Sequence, residues 1–268
     1  MINLSPTQIT TWATCHHSWG LQYLERRARP PMGMVAKWGI LLHNLVEHAA
    51  VCIMRGEDWI APKPEEYMES LIASAEAAGE AADPLQIRKS FDRVIVHVEN
   101  FRGQYLPRLQ PAAVEEGWEW FLTDPETGLE VKVYCRGDLR DHRRFWIDHK
   151  LKRTIPKDRG SVPSADLLEQ MILVSACPET DDACLQLYAK DGPRQCVIPL
   201  GLTTGPAPRY PNRGALVDAT ARIVLGVARG IAAQDSAPTG VWTERWGRQT
   251  CYYCSWKTAG ACRYQGGS

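Results

Sequence analysis

The sequence predicts an α/β fold in which a helical N-terminal half precedes a mixed central sheet with flanking helices. Apolar residues of the first half recur at helical spacing. The clearest stripe consists of Trp38, Leu41, Leu42, Leu45, Val46 and Ala49. Beyond about Ala113, apolar and polar residues instead alternate with period two in three segments, 116–122, 129–140 and 144–151. Short polar turns separate these segments, so we expect an antiparallel meander.

Capping and turn residues predict the other elements in order. Ser5, Pro6 and Gln8 form a capping box that begins a first helix. The remaining helices and strands are predicted at about 37–50 (helix), 61–110 (mostly helical), 164–177 (helix), 183–189 and 195–200 (strands), and 212–234 (helix).

The composition is that of a globular protein with one sizeable core. No apolar run approaches the roughly 20 residues of a membrane helix. Residues 1–18 lack the features of a secretory signal, so we expect a cytoplasmic protein. The 31 basic and 31 acidic side chains balance, which argues against a histone-like binder held by global charge. Residues 136–160 nevertheless hold nine Lys/Arg against four Asp/Glu, which indicates either a DNA-facing side or a chance fluctuation.

Two carboxylates and a lysine form the central motif of the sequence. Asp138 falls on the second strand of the meander and Asp148 on the third, so the two can approach across the hairpin. Lys150 lies two residues beyond Asp148 and points to the same face. Carboxylates of this kind suit Mg²⁺ or Mn²⁺, and a metal beside an ammonium group suits phosphodiester hydrolysis. On its own, however, Asp-x-Lys in a strand is most often a surface ion pair.

The segment Gly137-Asp138 followed by Trp146-Ile147-Asp148-His149-Lys150 resembles the core motif of the PD-(D/E)XK nuclease superfamily. The resemblance implies a restriction-endonuclease-like core. It also implies that Asp138 and Asp148 bind the metal, that the backbone carbonyl of His149 adds a ligand, and that Lys150 is catalytic. Arg140, Lys152 and Arg153 are further candidates for phosphate contacts, and solvation at the surface explains these charges equally well.

The opening Leu4-Ser5-Pro6-Thr7-Gln8-Ile9, with Cys15 soon after, resembles the first helix of the RecB-like exonuclease branch. That branch places a metal-binding histidine on an early helix, which implies a ligand role for His43. Without the resemblance, a lone helical histidine is usually an ordinary core or surface residue. Gln170 matches the first position of the branch's Q-x-x-x-Y motif, but Val174 replaces the tyrosine.

Three of the nine cysteines cluster near the C-terminus. Cys251, Cys254 and Cys262 offer three thiolates within twelve residues, and Cys15 is the best candidate for a fourth ligand. Four such ligands suit either tetrahedral zinc or a cubane cluster. Nucleases of the CRISPR-associated and AddB-like kinds carry one cysteine before the core and three after it, and this resemblance implies a [4Fe–4S] cluster. The other five cysteines are expected to be small core residues: Cys52, Cys135, Cys177, Cys184 and Cys196.

These observations predict a metal-dependent deoxyribonuclease, an exonuclease on DNA ends or single-stranded DNA. Its setting would be recombination, repair or CRISPR-type processing, with partners from recombination or CRISPR adaptation. We expect one nuclease domain over 1–268. Its parts would be 1–36 with Cys15, a helical region 37–112 with His43, the nuclease core 113–236, and a cysteine-rich region 237–268. The alternatives are a non-catalytic DNA- or partner-binding subunit with this fold and an iron–sulfur redox sensor.

Overall fold

A computed structural model describes residues 1–27 and 33–235. A six-stranded mixed sheet forms its centre, which confirms the predicted fold class. The strands are β1 Ile2–Leu4, β2 Pro111–Thr123, β3 Glu130–Asp141, β4 Phe145–Lys152, β5 Asp182–Ala189 and β6 Gln195–Pro199. The α-helices are α1 Pro6–Thr14, α2 His16–Trp19, α3 Met34–Arg55, α4 Glu65–Ala77, α5 Pro84–Asn100, α6 Ser164–Ala176 and α7 Arg213–Asp235.

The sheet combines the predicted meander with two parallel pairings. β2, β3 and β4 pair antiparallel in sequence order, as predicted. β5 pairs parallel with β4 after the crossover through α6, and β6 pairs antiparallel with β5. The three-residue β1 was not predicted. It lies parallel to β3, with Leu4 opposite Val133.

The two predicted N-terminal helices are confirmed. The Ser5 hydroxyl accepts a hydrogen bond from the backbone N–H of Gln8 at 3.3 Å, and the Gln8 side chain accepts one from the N–H of Ser5 at 2.9 Å. This reciprocal cap fixes the start of α1. Helix α3 begins at Met34 rather than at residue 37 and ends where Gly56 adopts a left-handed backbone with φ 68°.

Helices cover both faces of the sheet, so consecutive residues of β4 are buried in different cores. Trp146 belongs to the core formed with α1, α6 and α7, whereas Ile147 belongs to the core formed with α3 and α5. Four of the five cysteines expected in the core are buried, and the fifth, Cys196, is half-buried. Within residues 1–27 and 33–235, no helix is both long enough and apolar enough to cross a membrane.

Gly137 allows β3 and β4 to approach closely beside the predicted site. A Cβ atom at this position would lie 2.5 Å from the indole ring of Trp146, which is fully buried. The glycine of the Gly-Asp motif therefore makes room for a tryptophan of the neighbouring strand, directly before Asp138.

Candidate active site

Two neighbouring strands and a covering helix bring the predicted groups together. Leu139 of β3 pairs with Ile147 of β4. One residue before Leu139, the Asp138 carboxylate accepts a hydrogen bond from the backbone N–H of His149 at 2.8 Å. Helix α3 packs over this point and places His43 Nδ1 3.2 Å from Asp138 Oδ2.

His43 and Asp138 form a largely buried ion pair. Burial acts to raise the pKa of Asp138, but the hydrogen bond and charge of His43 outweigh it and lower the pKa to about 2. Burial acts to lower the pKa of His43, and Asp138 outweighs it and raises the pKa above its ordinary value. Asp138 is thus ionised, as a metal ligand must be, and a cation that binds His43 competes with a proton for the same imidazole.

Asp148 and Lys150 share one side of β4, as their spacing predicts. Lys150 Nζ lies 3.2 Å from Asp148 Oδ2 and 3.2 Å from Glu169 Oε2 on α6. Asp148 is 8% exposed, and burial raises its pKa to about 7 against the attraction of Lys150. For Lys150, burial acts in the opposite direction and lowers the pKa, but the carboxylates of Asp148 and Glu169 outweigh burial and raise that pKa. The lysine therefore remains charged beside a carboxyl group that a neighbouring cation would readily ionise.

Glu47, one helical turn beyond His43, was not predicted as a site residue. Ligand atoms of His43, Glu47 and Asp138 all lie within 4.8 Å of one another. Burial and a hydrogen bond with Glu115 raise the pKa of Glu47 to about 8. Glu115 itself has a left-handed backbone, φ 52°, and its carboxylate pairs with Arg136. A non-glycine residue held in this conformation costs on the order of 1–3 kcal/mol, which is typical of functional sites.

These donors fit a hard divalent cation. The carboxylate oxygens suit Mg²⁺ and Mn²⁺, whereas the imidazole of His43 is a softer ligand that suits transition metals. The buried Asp148 Oδ2 also has no hydrogen-bond partner among the described residues, although Lys150 lies within ion-pair range. Among the described residues, only His43, Glu47 and Asp138 bring ligand atoms this close together. Asp148, which belongs to the predicted ligand set, lines the same cleft as His43 and Asp138.

The imidazole of His149 is packed behind the site. Its Nδ1 forms a hydrogen bond with the Tyr188 hydroxyl (2.9 Å), and its ring meets Phe101 edge to face. Complete burial lowers the pKa of His149 to about 4, so the ring is neutral. The sequence motif does not reveal this ring environment. Because the ring is packed behind the site, only the backbone of His149 can contact a metal there.

Gln170 lines the same cleft as Asp138, Asp148 and Lys150, a space of about 300 Å³. Its side chain is buried, and Oε1 has no hydrogen-bond partner among the described residues. The buried Val174 occupies the position one turn further on. An amide with an unused oxygen at the wall of a polar cleft is suited to contact a ligand.

The candidate phosphate contacts differ in how far their charges are already compensated. Arg140 is bound by Glu116 and by Glu179, so its charge is neutralised within the protein. Lys152 pairs with Asp166 at 2.7 Å.

The cysteine prediction can be followed only at its N-terminal member. Cys15 lies between α1 and α2, where its sulfur accepts a hydrogen bond from the backbone N–H of Ser18 at 3.4 Å. Cys251, Cys254 and Cys262 lie outside the described residues, as does the whole region 237–268.

A mixed sheet that carries two carboxylates and a lysine, covered by a helix with a histidine, offers the groups that metal-assisted phosphodiester hydrolysis uses. The chain belongs to the PD-(D/E)XK nuclease superfamily, whose family profile matches residues 3–263.

One of two similar solved structures supports this fold. A putative exonuclease from Eubacterium rectale is similar to this chain at 11% identity and a TM-score of 0.54, covering 99% of this chain and 91% of its own. The protein SSO0001 is 13% identical, covering 84% of this chain and 96% of its own, with a TM-score of 0.40. No curated protein matches the sequence significantly.

Proposed function

We propose that this protein is a Mg²⁺- or Mn²⁺-dependent deoxyribonuclease that acts as an exonuclease on DNA ends or single strands. One observation carries the proposal: the charged Lys150 lies beside Asp148 in the same cleft as the His43–Asp138 pair. Membership of a nuclease superfamily supports the hydrolytic reaction.

Each residue of the cleft has a proposed task. His43, Asp138 and Asp148, with the backbone carbonyl of His149, would hold the cation. When bound, the cation supplies a Lewis acid that polarises the phosphate and lowers the pKa of water. Lys150 stabilises the negative charge that develops on the phosphate, and the contact with Glu169 positions its ammonium group.

Gln170 is proposed to contact the substrate from α6. Its buried amide already lines the cleft, so it can offer hydrogen bonds to a bound phosphate or base without moving a helix.

The test is cleavage of end-labelled single- and double-stranded DNA with and without Mn²⁺. Lys150→Met and Asp148→Asn should abolish cleavage while leaving the melting temperature near the wild-type value. Losing the lysine's charge stabilisation costs on the order of 3–4 kcal/mol in the transition state, or at least a hundredfold in rate. Lys89→Met, at an exposed lysine of α5, is the matched control. Full activity of Lys150→Met under single-turnover conditions would place the chemistry elsewhere, and rapid cutting of circular DNA would exclude an exonuclease.

We also propose that the whole chain is one nuclease domain, closed by a [4Fe–4S] cluster on Cys15, Cys251, Cys254 and Cys262. The sequence spacing supports this cluster, with zinc as the alternative. The position of Cys15 after α1, at the surface end of a core helix, leaves its sulfur half-buried rather than enclosed in the core.

A further inference from the structure

A second, wider cleft adjoins the candidate active site. Its volume is about 800 Å³, and its lining includes His43, Arg136 and Lys150, which also line the smaller cleft. The two spaces therefore form one groove, and whatever occupies the wide part approaches the groups proposed to act on phosphate.

One wall of the wide cleft is the N-terminal part of α3. Val35 and Ile40 are 40% and 45% exposed there, with Ala36 and Gly39 between them. The opposite side of the same turns is buried in the core, for example at Trp38. This wall is thus a narrow apolar surface on an otherwise amphipathic helix, and it lies directly before the proposed ligand His43.

Gly39 is an unusual choice for the interior of this helix. Glycine there costs about 1 kcal/mol relative to alanine. Within the described residues the glycine is not needed for close packing, because an added Cβ would meet no atom within 4 Å. What it provides is free space along the groove, which a bound molecule can fill.

We propose that this α3 wall (Val35, Ala36, Gly39 and Ile40) packs against the bases of a single-stranded DNA end as it enters the active site. The inference rests on the proposed nuclease function and deepens it. The faces of unpaired bases are apolar and suit such a wall, whereas a duplex keeps its bases stacked inside. Glu47 and Glu115 also line this groove, and Arg136 is paired with Glu115, but its side chain is 58% exposed and, with Lys150, can meet the phosphates. A cleft of this size is typical of sites for small ligands, about the size of one or two nucleotides.

The test compares matched serine variants of one helix. Ile40→Ser removes apolar area inside the groove. Ile53→Ser makes the same change at a 41% exposed isoleucine of α3 that is not part of the groove lining. Binding of a fluorescent single-stranded oligonucleotide is measured by anisotropy, with Ca²⁺ in place of Mg²⁺ to suppress turnover. Ile40→Ser should weaken binding about fivefold, because it removes part of the apolar area that the bases cover, and Ile53→Ser should bind as the wild type does.

An abasic oligonucleotide separates base contacts from phosphate contacts. Wild type and Ile40→Ser should bind this probe equally. Equal weakening with both probes would overturn the proposal, because the wall would then contact the backbone. Gly39→Leu should block the groove and weaken single-strand binding by about tenfold or more. Gly226→Leu on α7, where an added Cβ also meets no atom within 4 Å, should not.

Three further results keep this inference distinct from the proposed function. A wild-type protein that cleaves DNA with Mn²⁺, together with Ile40→Ser binding like Ile53→Ser, would overturn the α3 wall and leave the nuclease intact. A lower melting temperature for Ile40→Ser with unchanged DNA binding would show that another part of this chain covers the wall, which also overturns the proposal. If the wild type fails to cleave while Ile40→Ser loses base-dependent binding, the proposed function fails but the wall stands.

Discussion

Gly137→Ala should destabilise the protein, because the new methyl group would clash with a buried side chain of the neighbouring strand. Its Cβ would lie 2.5 Å from the Trp146 ring, and that ring is fully buried between sheet and helices. Overpacking of a core typically costs about 1–3 kcal/mol. Replacing glycine by alanine in a strand otherwise stabilises the folded state by roughly 0.5–1 kcal/mol. With mid-range values the net loss is about 1 kcal/mol, which corresponds to a fall of roughly 2–4 °C in melting temperature for a protein of this size.

Gly117→Ala on β2 is the matched control for this prediction. Its Cβ would meet the Tyr134 hydroxyl at 2.6 Å, but that side chain is 50% exposed and can move away. Calorimetry should therefore show a lower melting temperature for Gly137→Ala, whereas the melting temperature of Gly117→Ala should stay close to the wild-type value. Equal melting temperatures would refute the argument that Trp146 excludes a side chain from position 137.

Three other predictions address the metal centre, the cluster and the pH response. Calorimetric titration with Mn²⁺ should show weaker binding for His43→Ala. The same titration of Glu47→Gln tests whether Glu47 is a ligand, since unchanged Mn²⁺ affinity would exclude it from the metal site. Purified protein should be brown with about four irons per chain, and Cys15→Ser should bleach it; a colourless protein with one zinc would refute the cluster. Burial acts to raise the pKa of Asp141, but hydrogen bonds from Arg143 and the backbone lower it. The stability that Asp141 contributes is therefore present at neutral pH and lost as the pH falls below about 4, and melting curves of Asp141→Asn should lack this part of the acid sensitivity.

Local patterns were enough to predict most of the architecture. The apolar stripe of α3, the cap at Ser5 and the alternation of β2, β3 and β4 depend on residues close in sequence, and the structure confirms each of them. The spacing of Asp148 and Lys150 also fixed their common side of the strand. β1 could not be predicted in the same way, because three residues carry too little periodicity and their partner strand is far along the chain.

The incomplete part of the site prediction depends on how helices pack over the sheet. Glu47 lies one turn after His43, a spacing that gives it the same helix face. Its proximity to Glu115, however, arises only when α3 packs against the sheet, and no local pattern specifies that contact. Glu169 approaches Lys150 for the same kind of reason, through the packing of α6. The Tyr188 partner of His149 likewise comes from a parallel strand reached after a crossover.

The pairing of β1 with β3 has a consequence for synthesis of the chain. Ile2 pairs with Val131, a separation of 131 − 2 = 129 residues, and closing such a loop carries a length-dependent entropy cost of about 4 kcal/mol. A three-residue strand cannot meet that cost before the meander exists. As the polypeptide leaves the ribosome, the apolar side chains of Leu4, Ile9 and Trp12 therefore remain exposed to solvent or bound by a chaperone until the meander has formed. Ser5, Pro6 and Thr7 border the candidate active-site cleft, so the nascent chain should acquire a complete cleft only late in translation.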